Sequence, residues 1–195
     1  MDQIRPFNAD NHAAIARTMA LLFDDAVAVP PYIRDMLIQR LLWAVTENDN
    51  EGKWVKYDGQ PYWSVGALRM LLGNLQSDRP LYKDLRHEHA VPKKVMKKEI
   101  TGLSEKDVDS VLTVLTTNGY AVVVSKEEDR AITGQGFRSK MPEQEHADAD
   151  SGLRFVLSRY TEAGIEVCDV RGVVLRDLDE ETICRLRKEH LVTPR

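Results

Sequence analysis

Residues 86–94 concentrate side chains that can do acid–base and metal chemistry. His87 and His89, two of the five histidines, flank Glu88, and a run of lysines follows. In an extended chain His87 and His89 share one face, because successive side chains alternate. Two imidazoles on one face can bind a divalent metal, or one can act as a base while a neighbour holds the ion. The alternative is a solvated, charged turn ahead of the next helix.

The stretch Glu88-His89-Ala90-Val91-Pro92 resembles the first motif of the HNH, or His-Me finger, nucleases. The resemblance implies that an acidic residue or histidine ligates a metal and that the following histidine deprotonates the attacking water. Carried over to this chain, Glu88 or His87 would be the ligand. His89 would be the general base, and His87 is the second candidate for a catalytic role. The match covers only these few residues.

A second acidic group could complete such a metal site. In the family the last ligand is a histidine or asparagine on a helix, whereas the matching region here offers only the carboxylates of Glu127-Glu128-Asp129. Glu128 and Asp129 could join Glu88 in an oxygen-rich Mg²⁺ or Mn²⁺ site. The favoured alternative is an acidic first helical turn that the helix dipole stabilises.

Residues 82–106 form the one clearly basic stretch, with seven lysines and arginines against four acids. The whole chain has a net charge of -4, which argues against nucleic-acid binding by bulk charge but permits a local patch. Arg86, Lys93, Lys94 and Lys97 are the predicted phosphate contacts. Near a predicted long loop, ordinary surface polarity is the favoured interpretation of five further polar residues: Arg138, Lys140, His146, Arg159 and Tyr160.

A second resemblance comes from another class of protein. Residues 102–132 are similar to the recognition helix and wing of winged-helix regulators, because a helix ending in Asn118-Gly119 precedes a strand. The predicted helix exposes mainly acidic and neutral side chains, among them Glu105 and Asp107. A helix that enters a phosphate-lined groove should carry the opposite charge.

The helices and strands predicted from the sequence, which must position these residues, indicate an α+β fold. The 43% hydrophobic and 30% charged composition is that of a globular chain. We expect a single, mainly helical domain over residues 1–195, with a possible helical part at 1–80 and a motif-bearing part at 81–195. About six helices, short β-hairpins at Asp58-Gly59 and Arg171-Gly172, and a central strand near 120–125 are predicted.

Three serines give local signals for helix starts. Ser64 is a predicted N-cap, and Ser125 with Glu128 forms a predicted capping box. Ser104 begins an acidic variant of that box. These caps predict helices that begin directly after a strand at two places in the chain.

Two cysteines are too few for a disulfide framework, and the sequence shows neither a secretory signal pattern nor a membrane-length apolar run. We therefore expect a cytoplasmic protein with no membrane partner. The predicted function is a metal-dependent, nuclease-like enzyme that acts on DNA or RNA, with nucleic acid as its partner and Mg²⁺ or Mn²⁺ as its cofactor. The alternatives are a winged-helix nucleic-acid-binding regulator without catalysis, and an interaction or scaffold protein with no active site.

Overall fold

The computed structural model describes residues 9–47, 56–57, 59–77, 79–143 and 152–193. Within these ranges the α-helices are α1 (Ala9–Phe23), α2 (Pro31–Glu47), α3 (Val65–Leu75), α4 (Lys93–Gly102), α5 (Val108–Asn118), α6 (Lys126–Gly134), α7 (Gly152–Glu162) and α8 (Glu180–Glu189). The strands are β1 (Tyr62–Ser64), β2 (Leu85–His89), β3 (Ala121–Ser125) and β4 (Val167–Asp169).

The four strands form one mixed sheet in the order β2-β3-β1-β4. The β3 strand lies antiparallel to β2 and parallel to β1, and β1 lies antiparallel to β4. The register of the first pair sets His87 opposite Val123 and Glu88 opposite Val122. The sheet therefore contains strands from both sides of the predicted division at residues 80 and 81.

Apolar clusters cover the two faces of this sheet. Tyr62 and Val122 belong to a cluster that includes residues of α1, α2, α5 and α7. Trp63 and Val123, their neighbours in the chain, belong to a second cluster with residues of α3 and α8. This alternation follows from the two-residue period of a strand that is buried on both faces.

Each of the parallel strands ends in a serine that caps the next helix. The Ser64 hydroxyl accepts a hydrogen bond from the Ala67 amide at the start of α3. The Ser125 hydroxyl accepts one from the Glu128 amide, and the Glu128 carboxylate accepts one from the Ser125 amide. These two predicted caps are confirmed. The third, at Ser104, is wrong, because α5 is capped by Asp107, whose carboxylate accepts a hydrogen bond from the Ser110 amide.

The predicted α+β, mainly helical class is confirmed, and β3 covers most of the strand expected near 120–125. The structure has eight α-helices in its described ranges, where about six were expected. One of the eight is α4, which follows the motif-bearing segment and whose buried residues Met96 and Ile100 stand four residues apart on one face.

The predicted hairpin at Arg171-Gly172 is wrong. Its first arm is β4, but the second arm contains a 3-10 turn at Leu175–Asp177. The β4 strand instead pairs with β1, and its Asp169 amide donates to the His190 carbonyl beyond α8. The backbone groups of β4 thus find partners far away in the sequence.

The predicted hairpin at Asp58-Gly59 falls partly on residues 53–55 and 58, which lie outside the described residues. Its second arm contains β1, which lies between β3 and β4 although a proline is usually found at an edge strand. Pro61 immediately precedes the strand, so its missing amide hydrogen costs the sheet no hydrogen bond. Among the described helices, none is both long and apolar enough to cross a membrane.

Candidate functional site

The motif-bearing segment is a strand rather than a solvated turn. The β2 strand pairs with β3 along its whole length, and α6 begins immediately after β3. Two antiparallel strands and a helix thus form one unit, although α4 and α5 lie between the strands in the chain. Because side chains alternate along β2, Glu88 faces one side of the strand, and His87 and His89 face the other.

On its side of the strand, Glu88 meets a buried arginine and a second carboxyl group. Arg159 on α7 donates from Nη2 to Glu88 Oε2 at 2.8 Å, and its side chain is only 1% exposed. The Asp129 carboxyl group lies close enough to Glu88 to raise its pKa. Burial raises the pKa of Glu88, and Asp129 raises it further, while Arg159 lowers it. Glu88 therefore holds a proton more tightly than an exposed carboxylate would.

Arg159 ties this carboxyl pair to the surrounding backbone. Its Nη2 also donates to the His89 carbonyl oxygen at 2.5 Å, and its Nη1 donates to the Phe137 carbonyl oxygen at 3.0 Å. The expectation of ordinary surface polarity at Arg159 is wrong, because a guanidinium is seldom buried without charged and hydrogen-bonding partners. The only sequence signal was a charged residue inside the apolar run of α7, and its partner Glu88 lies 71 residues away.

The two histidines lie against the end of α2. His89 Nδ1 lies 3.2 Å from the Thr46 hydroxyl, while His89 Nε2 is buried without a hydrogen-bond partner. His87 Nε2 lies 3.3 Å from the Thr46 carbonyl oxygen, so this nitrogen carries the proton and donates it. Burial lowers the pKa of His87 to about 4 and lowers that of His89 well below its usual range. Both imidazoles are therefore neutral at pH 7.

Trp43 and Lys93 cover His89. The Trp43 ring packs edge-on against the His89 ring, with 5.1 Å between the centroids. The Lys93 ammonium group lies 2.8 Å from the centroid of the Trp43 ring. Burial lowers the pKa of Lys93 to about 8. Neither Thr46 nor Trp43 carries a motif that would have marked it as a neighbour of the histidines.

The other predicted cations are spread over several surfaces. Lys97 pairs with Asp35 on α2, and Lys94 is exposed on α4. Arg86 donates from Nη1 to the carbonyl oxygen of its neighbour Leu85 at 2.8 Å and is half-buried. It lies on the same face of β2 as Glu88.

Glu128 is held away from Glu88. Its Oε2 accepts hydrogen bonds from the Ser64 hydroxyl at 2.5 Å and from the Ser125 amide at 2.8 Å. Of the predicted metal ligands, Glu88 and Asp129 are therefore the two that the structure brings together. His87 lies on the opposite face of β2.

The chain was compared with protein-family models, with curated proteins and with solved structures. No match was found.

The carboxyl pair has the donor set of a weak oxygen site. Within the described part of the chain, no three His, Cys, Asp or Glu side chains cluster closely enough to enclose a metal. Mg²⁺ is commonly held by one or two carboxylates, with water and phosphate oxygens as its other ligands. Glu88 and Asp129 fit that pattern and do not fit the closed nitrogen and sulfur sites that Zn²⁺ prefers.

The winged-helix resemblance finds little support in the surroundings of α5. This helix buries Val111, Val114 and Leu115 against its neighbours, and all five residues of β3 are buried. Because β3 passes directly into α6, the described residues at 120–132 contain no exposed hairpin of the wing type.

Proposed function

We propose that this chain is a metal-dependent, nuclease-like phosphodiesterase that acts on DNA or RNA. The observation that carries the proposal is the contact between Glu88 on β2 and Asp129 in the first turn of α6. Two carboxyl groups from separate elements meet there, and the histidine that the HNH-like motif marks as the base is the next residue of β2, with its side chain on the other face of the strand.

Glu88 and Asp129 would hold Mg²⁺ or Mn²⁺. A bound divalent cation supplies Lewis-acid stabilisation of the charge that develops on a phosphoryl group. It would also give these half-buried carboxylates a positive partner in addition to Arg159. The raised pKa of Glu88 therefore predicts that metal binding releases a proton and tightens with rising pH.

His89 is the proposed base. Its lowered pKa keeps the imidazole neutral, and Nε2 is the acceptor nitrogen when Nδ1 donates its proton to the Thr46 hydroxyl. Because Nε2 is buried, the covering Trp43 and Lys93 side chains must move aside for water to reach it. His89 is the last residue of β2, and its side chain points away from that of Glu88. The reacting phosphodiester must therefore lie across the end of the strand, where both faces can be reached. Lys93, close to His89, supplies a cation for the phosphate.

Cleavage assays with matched variants test the proposal. Plasmid DNA, single-stranded DNA and single-stranded RNA are incubated with Mg²⁺ or Mn²⁺ and with excess EDTA. We expect metal-dependent cleavage that falls by about 10²- to 10⁴-fold in His89→Gln. Glu88→Gln and Asp129→Asn should lose cleavage and also weaken Mn²⁺ binding measured by calorimetry. Glu127→Gln, on the exposed side of the same helical turn, is the control and should match wild type.

Two outcomes would overturn the assignment. Wild type that cleaves none of the three substrates is not a nuclease, and retained, salt-sensitive binding would then favour a regulator without catalysis. Unchanged cleavage in both Glu88→Gln and Asp129→Asn would remove the carboxyl pair from the reaction. Thermal unfolding of each variant separates loss of activity from loss of fold.

A further inference from the structure

The outer face of α2 carries large apolar side chains where solvent contact favours polar ones. Tyr32 is 75% exposed, Met36 55% and Trp43 38%. Their spacing of four and seven residues places them in one stripe along the helix. The opposite side of α2 is buried through Ile38 and Leu42. An exposed apolar stripe of this kind marks an interaction surface rather than a core-facing one.

Basic side chains border the stripe. Arg40 is exposed on α2 between Met36 and Trp43. From α4, Lys93 lies over the Trp43 ring and Lys97 pairs with Asp35. Asp35 and Trp43 are about 12 Å apart along the helix at 1.5 Å per residue, so the lysines run beside much of the stripe.

The two acidic residues of α2 do not cancel the charge of this surface. Asp35 is already paired with Lys97, and the Glu47 carboxylate is 17% exposed beneath His87. Arg40, Lys93 and Lys94 therefore leave a net positive surface, although the whole chain is negative. Such a surface is complementary to a chain of phosphates.

Proteins that bind single-stranded nucleic acid combine exposed aromatic rings with neighbouring cations. Unpaired bases stack on aromatic side chains while their phosphates contact lysine and arginine, whereas the bases of a duplex are already stacked on each other. The stripe also leads to the candidate site, because the Trp43 ring packs against His89. A base stacked near Trp43 would place its phosphodiester close to the end of β2.

We propose that the surface formed by Tyr32, Met36, Arg40, Trp43 and Lys93, here called the α2–α4 surface, binds single-stranded nucleic acid and leads it to the end of β2. This inference rests on the proposed function and specifies its substrate class. The surface binds through stacking and phosphate contacts, without reading base edges. It therefore has little sequence preference.

Binding without cleavage tests the inference. Fluorescence anisotropy is measured in EDTA with labelled strands of about 20 nucleotides, as DNA, as RNA and as a duplex. We expect tighter binding to single strands than to the duplex. Tyr32→Ala and Trp43→Ala should each weaken single-strand binding by about tenfold, and Trp43→Phe should restore most of it. Arg40→Gln should lower the salt dependence by about 0.7 in log–log slope.

Leu21→Ala is the matched control, because Leu21 is 57% exposed on α1 and lies outside the α2–α4 surface. It should bind like wild type. Because Tyr32 is 75% exposed, Tyr32→Ala should change the unfolding free energy by no more than about 0.5 kcal/mol, which thermal unfolding checks. Equal binding by Tyr32→Ala, Trp43→Ala and wild type would overturn the inference, as would stronger binding to duplex than to single strands.

Two further outcomes separate this inference from the proposed function. A concentration-dependent dimer that Tyr32→Ala dissociates, with no binding to single strands, would assign the surface to a second copy of the chain and overturn the inference. Single-strand binding that depends on Tyr32 and Trp43 in a protein that cleaves nothing would support the inference and overturn the nuclease proposal. Metal-dependent cleavage without such binding would support the nuclease proposal and overturn the inference.

Discussion

The Ser64 hydroxyl donates a 2.5 Å hydrogen bond to the Glu128 carboxylate, and this contact joins the starts of two helices. Ser64 ends β1 and caps α3, whereas Glu128 belongs to the capping box that starts α6 after β3. Because β1 and β3 are parallel neighbours, both helices begin at the same edge of the sheet. One carboxylate therefore serves two helix N-termini, where a negative charge is favoured.

Gly66 and Gly73 provide a matched test of this arrangement on α3. A Cβ atom at Gly66 would lie 2.5 Å from Glu128 Oε1, whereas one at Gly73 would meet nothing within 4 Å. Gly66→Ala must displace Glu128 from its hydrogen bonds, so we expect a loss of roughly 1–2 kcal/mol in unfolding free energy. Gly73→Ala should gain roughly 0.5–1 kcal/mol from helix propensity alone. Urea unfolding measures both, and equal effects would contradict the prediction.

Glu128→Ala should destabilise the fold by roughly 1–3 kcal/mol, because the Ser125 amide and the Ser64 hydroxyl both lose their acceptor. The control is Glu127→Ala, at an exposed position in the same turn, which should stay within about 0.5 kcal/mol of wild type. The double variant Gly66→Ala/Glu128→Ala should be less destabilised than the sum of the single changes. Additive losses would show that Gly66 and Glu128 do not act through the same contact.

The caps show what could be predicted from the sequence. Ser64 and the Ser125–Glu128 box are signals within four residues, and both predictions are confirmed because capping is a local interaction. The hydrogen bond between Ser64 and Glu128 spans 64 positions in the chain and depends on β1 and β3 being paired. No local pattern predicts that pairing, and for the same reason β4 was wrongly assigned to a hairpin.

The candidate site, too, could be predicted from the sequence only where local patterns determine it. The alternation of His87, Glu88 and His89 along a strand follows from the two-residue period and was expected for an extended segment. The burial of Arg159 against Glu88 was not predictable, since a lone arginine in a helix has no local signal for its partner. Whether the surrounding lysines contact phosphate stays a prediction.

Replacing Arg159 should be among the most damaging single changes. Arg159→Met leaves Glu88, whose side chain is 29% exposed, beside Asp129 without a positive partner. The loss should therefore lie at or below the about 3–5 kcal/mol that breaking a fully buried ion pair costs. Adding Glu88→Gln removes the uncompensated charge and should recover a substantial part of the loss. Urea unfolding of the single and double variants tests this. A double variant no more stable than Arg159→Met would show that packing, and not charge, sets the role of Arg159.

His12 should make the fold sensitive to mild acid. Its Nε2 lies 3.1 Å from the Val45 carbonyl oxygen, and burial lowers its pKa from 6.5 to about 4. Between these two pH values the unfolded chain therefore binds a proton at His12 while the folded chain does not. The free energy of unfolding is thus highest above pH 6.5 and falls as the pH drops towards 4. The share of His12 in that loss is roughly 3 kcal/mol at most.

His12→Gln keeps an amide donor for Val45, so it should lower stability at pH 7 but flatten the decline between pH 6.5 and 4. His87 titrates in the same window and should leave a residual slope in the variant. Thermal unfolding followed by circular dichroism across this range measures both slopes, and parallel curves for wild type and His12→Gln would show that His12 contributes nothing to the acid sensitivity.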